Sequence, residues 1–365
     1  MSIPDRRSRR LAMVWMLYGA TGYTGRLIAE LAVRRGYEPV LAGRDPRKLA
    51  TTAVPLGLDY RTLDLRDTHR LDAALREFDV VAHCAGPFSA TSAPMVEACL
   101  RTGTHYLDIT GEIDVLEAVL ARDDDSRAAG VTLLPGAGFD VVPTDCLAAM
   151  VAAELPGATD LDLAFTTNGG ISPGTLKSAM EGVALGGRAR VGGQLREVPV
   201  GWRRRTVTFP GGERIVTSLP WGDVATAYRT TGIGNITTFA GIPGLGRMTP
   251  RAARVSRDVL GRSAVRRFAN TAIDALVRGP GRGSRSASRV EVHAEAGDAA
   301  GNAVSAALVG PDTYDLTADS VLRVVTALEA GEVPPGALTP ATALGADFVR
   351  SLDGVRVVEP RHFRG

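Results

Sequence analysis

Three glycines at three-residue spacing, Gly19, Gly22 and Gly25, form a GxxGxxG loop. The apolar run Met13–Tyr18 before the loop predicts a strand buried on both faces of a parallel sheet, and the amphipathic stretch Leu27–Arg35 after it predicts a helix. Glycines let the backbone approach a pyrophosphate, and a helix N-terminus offers unpaired N–H groups and a positive dipole end. The context predicts a dinucleotide site, with loop contacts from Gly19, Thr21, Gly22, Tyr23, Thr24 and Gly25.

The residues after the second predicted strand bear on the choice between NAD and NADP. An acid usually stands there to bind the ribose 2′-hydroxyl of NAD. This chain has Arg44, which can stack on adenine and meet a 2′-phosphate, and Lys48 lies one helical turn further on. Asp45 is an acid that would favour NAD. Its position before Pro46 also suits a helix N-cap, which would turn its carboxylate away from the ribose. Asp64, which ends the third predicted strand, is expected at the adenine edge, and NADP is the predicted cofactor.

Two further groups of residues are predicted to lie at the carboxyl ends of the strands, where the crevice of such a sheet forms. Ala85, Gly86, Pro87 and Phe88 follow the fourth predicted strand and are expected to contact the nicotinamide ribose. Polar residues with the chemistry of a proton donor follow later strands: Tyr106, Asp108, Thr110, Glu112, Asp140, Thr144 and Asp145.

Tyr106, Asp140 and Lys177 are the candidate catalytic residues. Lys177 and Lys48 are the two lysines among 42 basic residues, and a lysine can donate a proton where an arginine cannot. Each candidate has a plainer interpretation. Asp108 and Asp140 can hold loop N–H groups, Asp145 can cap a helix, and Lys177 can be a solvated surface residue.

The pattern along the chain predicts an α/β fold. Strands alternate with helices over the first 145 residues, as in a Rossmann-type doubly wound parallel sheet, and hairpin-linked strands then indicate an inserted α+β domain with a mostly antiparallel sheet. A helix at Ala318–Ala330 is expected to pack back on the first domain, and Gly279–Ser288 is expected to be a mobile linker. The predicted parts are a flexible basic N-terminus (1–11), an NADP-binding Rossmann domain (12–145), an α+β substrate and dimerisation domain (146–316) and a C-terminal segment returning to the Rossmann domain (317–365).

Five motifs together resemble those of the saccharopine-dehydrogenase-like oxidoreductases, and most of all the branch that includes the mycobacterial trans-acting enoyl reductases. The motifs are Tyr18–Gly25, Ala42–Arg44, Ala85–Phe88, Tyr106–Glu112 and Gly136–Asp145. The resemblance covers about the first 150 residues and implies an NADP-dependent Rossmann domain with an inserted substrate domain. Reactions in this family include imine and double-bond reduction, so the resemblance leaves the reaction open. Short-chain dehydrogenases share the glycine loop, but none of the seven tyrosines here has their lysine four residues later.

Composition narrows the classes of partner. The net charge of +2 gives no reason to expect binding to nucleic acid. The three cysteines are scattered and the five histidines lack the spacing of metal ligands, so a metal site is not expected. No apolar run is long enough to span a bilayer. A cytoplasmic homodimer is expected. The segment Arg247–Arg289 carries eleven arginines against two aspartates, a charge of +9, and could dock an acidic carrier protein, a phosphorylated tail or an anionic membrane surface, or simply be a solvated helix face.

Three functions remain open from the sequence. The first is an NADPH-dependent reductase of a C=C or C=O bond in a lipophilic or polyketide-type substrate, free or carrier-bound. The second is an imine reductase on an amino-acid-derived substrate, whose carboxylates Arg188, Arg190 or Arg203–Arg205 could bind. The third is a non-catalytic NADP-binding redox sensor. Trp202 and Trp221, with nearby glycines, either line an apolar substrate crevice or belong to the core.

Overall fold

The computed structural model describes residues 14–178, 186–241, 272–273 and 276–364, in which two β-sheets are linked by helices. The first sheet has seven parallel strands in the order β15-β6-β5-β4-β1-β2-β3. These strands are β1 Trp15–Tyr18, β2 Val40–Gly43, β3 Tyr60–Thr62, β4 Val80–His83, β5 His105–Asp108, β6 Thr132–Leu134 and β15 Gly336–Ala337. The order 3-2-1-4-5-6 is that of the Rossmann fold, as the sequence predicts.

Helices connect the strands; some cover this first sheet, and others pack on the second sheet. They are α1 Tyr23–Arg34, α2 Pro46–Ala53, α3 Thr68–Leu75, α4 Phe88–Thr102, α5 Ile113–Leu120, α6 Asp123–Ala129, α7 Val142–Glu154, α8 Asp223–Thr231, α9 Arg282–Ala287, α10 Thr313–Glu329 and α11 Pro340–Leu344. β1 and β4 are buried along their whole length, because helices pack on both faces of the sheet. Residues 173–178 are also helical.

The second sheet is mostly antiparallel, in the order β10-β11-β12-β7-β13-β14-β16, with the β8–β9 hairpin beside β12. Its strands are β7 Asp160–Thr167, β8 Gly187–Val191, β9 Gln194–Val198, β10 Arg204–Phe209, β11 Gly212–Ser218, β12 Asn235–Ala240, β13 Val290–Gly297, β14 Asn302–Gly310 and β16 Arg356–Arg364. Alternate residues Leu161, Leu163 and Phe165 of β7 pack against α7, whose first-turn residue Val142 is also buried. The predicted α/β class with an α+β second domain is confirmed.

The C-terminal segment contributes a strand to each of the two sheets. α10 packs on α1, and β15 joins the edge of the first sheet beside β6. β16 instead pairs antiparallel with β14 in the second sheet. The chain therefore returns to the first sheet and then crosses back, whereas the sequence predicted that 317–365 would stay with the Rossmann domain. A nine-residue strand pairs according to which sheet edge is free, and the sequence of the strand does not carry that information.

Several predicted elements differ from the structure. The sequence pattern predicts one helix from about Ile113 to Ala129, whereas the structure has two, α5 and α6, and the pattern does not predict α3, α8 or the β8–β9 hairpin. The stretch Gly279–Ser288 is not a free linker, since it contains α9 and contacts Tyr23. The pattern also predicts helices at Thr175–Leu185 and across Arg251–Val277. The end of the first and most of the second lie outside the described residues, as do seven of the eleven arginines in Arg247–Arg289.

Within the described ranges, no helix combines the length and apolar character needed to cross a membrane.

Candidate functional site

The glycine loop joins β1 to α1 in a space that side chains would not fit. Gly19 has a φ of +84°, and a Cβ on it would lie 2.7 Å from the backbone nitrogen of Ala85. A Cβ on Gly25, in the first turn of α1, would lie 2.5 Å from the Gly19 carbonyl oxygen. α1 begins after Gly22 with no side-chain cap and no acid in its first turn, so its N-terminal N–H groups are left to an anion.

A cavity of about 1630 Å³ runs from this loop into the second domain. The predicted cofactor contacts that line it are Gly19, Thr21, Gly22, Tyr23, Thr24, Arg44, Ala85, Gly86, Pro87 and Phe88. Gly25, Lys48 and Asp64 do not line it. Gly25 acts instead through its close approach to Gly19, Lys48 lies on α2, and Asp64 follows β3. Of the candidate catalytic residues, Asp140 and Lys177 line the cavity and Tyr106 does not.

Arg44 and Asp45 adopt different roles at the end of β2. The Asp45 carboxylate accepts hydrogen bonds from the N–H groups of Arg47 and Lys48, at 3.0 and 3.1 Å, and is the N-cap of α2. The carboxylate is thereby turned to the helix, as one interpretation of the sequence expected. Arg44 is exposed and lines the cavity. Asp64 is paired with Arg66 at 2.6 Å, and this hydrogen-bonded pairing lowers the pKa of Asp64 to about 2.

Glu112 holds the loop that follows β4. Its carboxylate accepts hydrogen bonds from the N–H groups of Phe88, at 2.9 Å, and Ser89, at 2.7 Å, which are the first residues of α4. The Gly86–Pro87 peptide bond in this loop is cis. Because the Glu112 carboxylate satisfies the N-terminus of α4, the loop Ala85–Phe88 is fixed against the cavity by a residue that follows β5.

Tyr106 and Asp108 are structural in this fold. Both are fully buried in β5, and the Tyr106 hydroxyl donates to the Asp108 carboxylate at 2.6 Å. Asp108 also accepts from the N–H groups of Thr110 and Gly136, each at 2.9 Å. Burial raises the pKa of Asp108 to about 6. The pair ties together the loops after β5 and β6, so the geometry does not bring Tyr106 to a substrate.

Among the candidate catalytic residues, Asp140 is the acid that lines the cavity. Within the described part of the chain no hydrogen bond reaches its carboxylate, and burial raises its pKa to about 7. It packs against Gly111, where a Cβ would lie 3.0 Å from Asp140 Oδ2. A carboxyl that is half protonated near neutral pH can donate a proton, which an ordinary aspartate cannot do at that pH.

Asp145 has another role than the predicted helix N-cap, and that prediction is wrong. Val141 is at the N-cap of α7, and Asp145 lies buried in the first turn. Its carboxylate accepts from the Thr230 hydroxyl at 2.6 Å and from the N–H of Ala341 at 2.8 Å. It therefore holds α8 and the first turn of α11 against α7, a contact across distant segments that local spacing does not reveal.

Aromatic side chains form the apolar wall of the cavity in the second domain. Phe165 lies between Phe139 and Trp221, with ring centroids 5.7 and 4.6 Å apart. All three line the cavity, so Trp221 belongs to the crevice that the sequence left open. Trp202 does not line it; it is 43% exposed and stacks with Arg203.

The arginines predicted to bind a substrate carboxylate fall into two groups, those that line the cavity and those that do not. Arg188 lines the cavity, as does Lys177. Arg190 is buried and donates to the carbonyl oxygens of Val224 and Gly193 and to the Glu117 carboxylate. The other arginines of the group do not line the cavity: Arg203 and Arg205 pair with Asp162, and Arg205 pairs also with Glu295.

Comparison with known proteins agrees with the resemblance in the motifs. Residues 15–134 match the family model of the saccharopine dehydrogenase NADP binding domain. The matched residues run from β1 to β6 of the first sheet. The whole fold resembles that of apo histidine-tagged saccharopine dehydrogenase (L-Glu forming) from Saccharomyces cerevisiae, with a TM-score of 0.64 at 12% identity, over 95% of this chain and all of the yeast chain.

Curated relatives share this saccharopine dehydrogenase-like domain. A protein named trans-acting enoyl reductase from Mycobacterium leprae is 33% identical over 150 residues, which are 39% of this chain and 35% of the relative. A protein named saccharopine dehydrogenase-like oxidoreductase from Homo sapiens is 28% identical over 193 residues, 46% of this chain and 45% of the relative. The matches thus span less than half the length of these relatives.

Several residues of this site cannot be identified from the sequence pattern alone. Phe139, Phe165 and Tyr314 line the cavity, and Glu112, although noted as a polar candidate, was not recognised as the residue that holds the loop after β4. Glu112 follows a strand of the parallel sheet, which is a usable signal. The aromatic residues carry no such signal, because a buried phenylalanine in a strand or a tyrosine in a helix looks the same whether it faces the core or a crevice.

Proposed function

We propose that the protein is an NADPH-dependent reductase of a C=C or C=O bond in a lipophilic substrate. The observation that carries the proposal is a single cavity in which four features meet. These are the uncapped N-terminus of α1, the loop Ala85–Phe88, the half-buried acid Asp140 and the aromatic wall around Phe165.

The residues present fit a dinucleotide. Because Gly19 and Gly22 carry no side chain, a pyrophosphate can approach the uncapped N-terminus of α1, and no acid stands in the first turn of α1 to repel it. A nicotinamide cofactor would supply a hydride. The loop Ala85–Phe88, held by Glu112, lines the same cavity and is the part of the chain suited to fix the reactive end.

The side chains after β2 favour NADP over NAD. Asp45 uses its carboxylate to cap α2, so no acid remains at this strand end for a ribose diol. Arg44 is exposed at the cavity and presents a guanidinium that suits a 2′-phosphate. The family of the N-terminal domain, which is described as NADP binding, agrees with this choice.

Asp140 is the group suited to complete the reduction. Hydride addition to a polarised double bond leaves a negative charge on the neighbouring atom, and that atom takes up one proton. The Asp140 carboxyl, with a pKa near 7, can donate this proton and regain one from water. The expulsion of water by Phe139, Phe165 and Trp221 would favour an apolar substrate around the reacting bond.

An imine reductase is the second candidate, and one observation favours it. Arg188 and Lys177 both line the cavity, so a substrate that carries a carboxylate would find cations there. The other arginines considered for this role line no part of it. The reductase of a lipophilic double bond remains the first proposal, because aromatic side chains make up the wall beside Asp140.

The test is NADPH oxidation by the purified protein against a panel of enoyl thioesters, ketones and imines. We expect turnover with apolar enoyl or carbonyl compounds and little with amino-acid-derived imines. Preference for imines that bear carboxylates would replace the first proposal with the second. NADPH binding without turnover of any compound would support a redox sensor and contradict both.

A further inference from the structure

A segment of the second domain reaches the dinucleotide loop. Val277 and Arg278 line the same cavity as Gly19–Thr24, and the next residues, Gly279 and Pro280, lie on Tyr23. The helix α9, Arg282–Ala287, then leads into β13. We call residues 277–287 the strap.

Tyr23 fixes the strap to the loop. Its hydroxyl donates to the Pro280 carbonyl oxygen at 2.5 Å, and its ring lies edge-on to Tyr314 with centroids 4.8 Å apart. Gly279 has a φ of +75°, and a Cβ on it would lie 2.7 Å from the Tyr23 ring. The close approach of backbone to ring shows that the strap is packed on the loop by shape as well as by a hydrogen bond.

Arg285 closes the contact from the other side. Its guanidinium donates to the Tyr23 hydroxyl at 3.1 Å and to the Pro280 carbonyl oxygen at 3.2 Å, and it pairs with Asp315 of α10 at 2.9 Å. The Arg285 side chain is 11% exposed. The strap is therefore held at Tyr23 by two hydrogen bonds, with a third inside the strap, and is tied to α10 by the pair with Asp315.

The strap adds a positive charge beside the anion site of α1. Arg278 directly precedes the residue packed on Tyr23, is exposed and lines the cavity together with Arg26 and Arg44. The GxxGxxG loop itself contributes N–H groups and hydroxyls but no cation. A pyrophosphate carries two negative charges, so a guanidinium at this place supplies what the loop lacks.

We propose that the strap completes the dinucleotide site, with Arg278 binding the pyrophosphate and the contact of Tyr23, Pro280 and Arg285 controlling cofactor release. The inference rests on the proposed function only in that the ligand is a nicotinamide dinucleotide. It assigns part of the cofactor site to the domain that also lines the substrate end, so release of the cofactor depends on a contact between the two domains.

The experiment compares three variants with the wild-type full chain by fluorescence titration with NADPH and by stopped-flow displacement. Arg278→Gln should weaken NADPH binding about ten- to hundredfold, the range expected for one charged hydrogen bond, and the loss should shrink at high salt. Arg285→Gln should accelerate NADPH release about tenfold with little change in the association rate, because the strap then opens more often. Arg282→Gln removes the same charge from the exposed face of α9, does not line the cavity and should bind as the wild type does.

Tyr23→Phe keeps the ring and removes only the hydroxyl, so it should reproduce faster NADPH release if Arg285→Gln does not fold. Wild-type affinity in Arg278→Gln at low salt, or equal losses in Arg278→Gln and Arg282→Gln, would overturn the inference. Absence of any NADPH or NADH binding by the wild-type protein would instead contradict the proposed function, so the two failures are distinguishable.

Discussion

The two ends of the cavity are assembled differently. The end that we propose for the cofactor, here the cofactor end, consists mainly of the short stretches Gly19–Thr24 and Ala85–Phe88, which follow strands of the first sheet. The end that we propose for the substrate, here the substrate end, consists of single residues from separate segments: Phe139, Phe165, Lys177, Arg188 and Trp221. The first end is defined by backbone shape and local order, and the second by how two sheets meet.

The two ends of the cavity also differ in the kind of charged group that they contain. At the cofactor end Arg26, Arg44 and Arg278 are exposed, and within the described residues none of them forms an ion pair. At the substrate end the acid Asp140 is half-buried, and the desolvation of its carboxyl raises its pKa to about 7. Exposed guanidinium groups suit a charged ligand that brings its own counter-charge, whereas a buried carboxyl is suited to hold a proton.

The largest effect is expected from Asp140→Asn, which tests whether the substrate end does the chemistry. Loss of a proton donor should lower kcat about 10²- to 10⁴-fold while the NADPH dissociation constant stays unchanged. In the wild type kcat should fall as the pH rises through about 7, because the acid form of Asp140 is lost there. Steady-state kinetics across pH, with an NADPH titration of the variant, would measure both.

Asp114→Asn is the matched control, since Asp114 is an exposed acid at the same cavity. Equal kcat losses in the two variants would contradict the role of Asp140.

The pH dependence of the free energy of unfolding gives a second test of Asp140. The raised pKa means that the folded state binds the proton more tightly than the unfolded state, so Asp140 favours folding at low pH. That contribution is lost between its ordinary value of 3.8 and about 7, and Asp140→Asn should remove this loss.

Gly19→Ala should show that the cofactor end depends on backbone space. Gly19 has a φ of +84° and backbone atoms 2.7 Å from a Cβ, whereas Gly36 has a φ of +82° and open space around it. Gly36→Ala should lower the free energy of unfolding by about 1–2 kcal/mol, from backbone strain alone. Gly19→Ala should lower it by a further 1–3 kcal/mol and weaken NADPH binding. Urea denaturation of the two variants measures the difference, and equal losses would mean that the close approach at Gly19 is unimportant.

The smallest effect is expected from Arg44→Ala. Removal of one exposed guanidinium should weaken NADPH binding about tenfold and leave NADH binding nearly unchanged, because only NADPH carries the 2′-phosphate. Titration of both cofactors against wild type and variant gives the ratio of affinities. Arg47→Ala, one helical turn away on α2, is the control for general charge. An unchanged ratio in Arg44→Ala would contradict the assignment of NADP.

The first sheet could be predicted because each strand and its following loop are local in the sequence. Gly19, Arg44 and Pro87 were found from their positions after apolar runs, and all line the cavity. Asp140 was found as an acid after a strand, but the sequence could not distinguish it from Asp108. Only the structure shows that Asp108 is satisfied by Tyr106 and two N–H groups while Asp140 faces the cavity.

The sequence by itself determined the parallel sheet, the glycine loop and the cofactor end, because periodicity and backbone space act over a few neighbouring residues. Tertiary structure alone decided the substrate end. Phe165 and Trp221 come together there, Arg190 is bound to Glu117 while Arg188 faces the cavity, and residues 277–287 lie on Tyr23. These contacts join residues far apart in the chain, so they depend on how the two sheets pack, which no local pattern encodes.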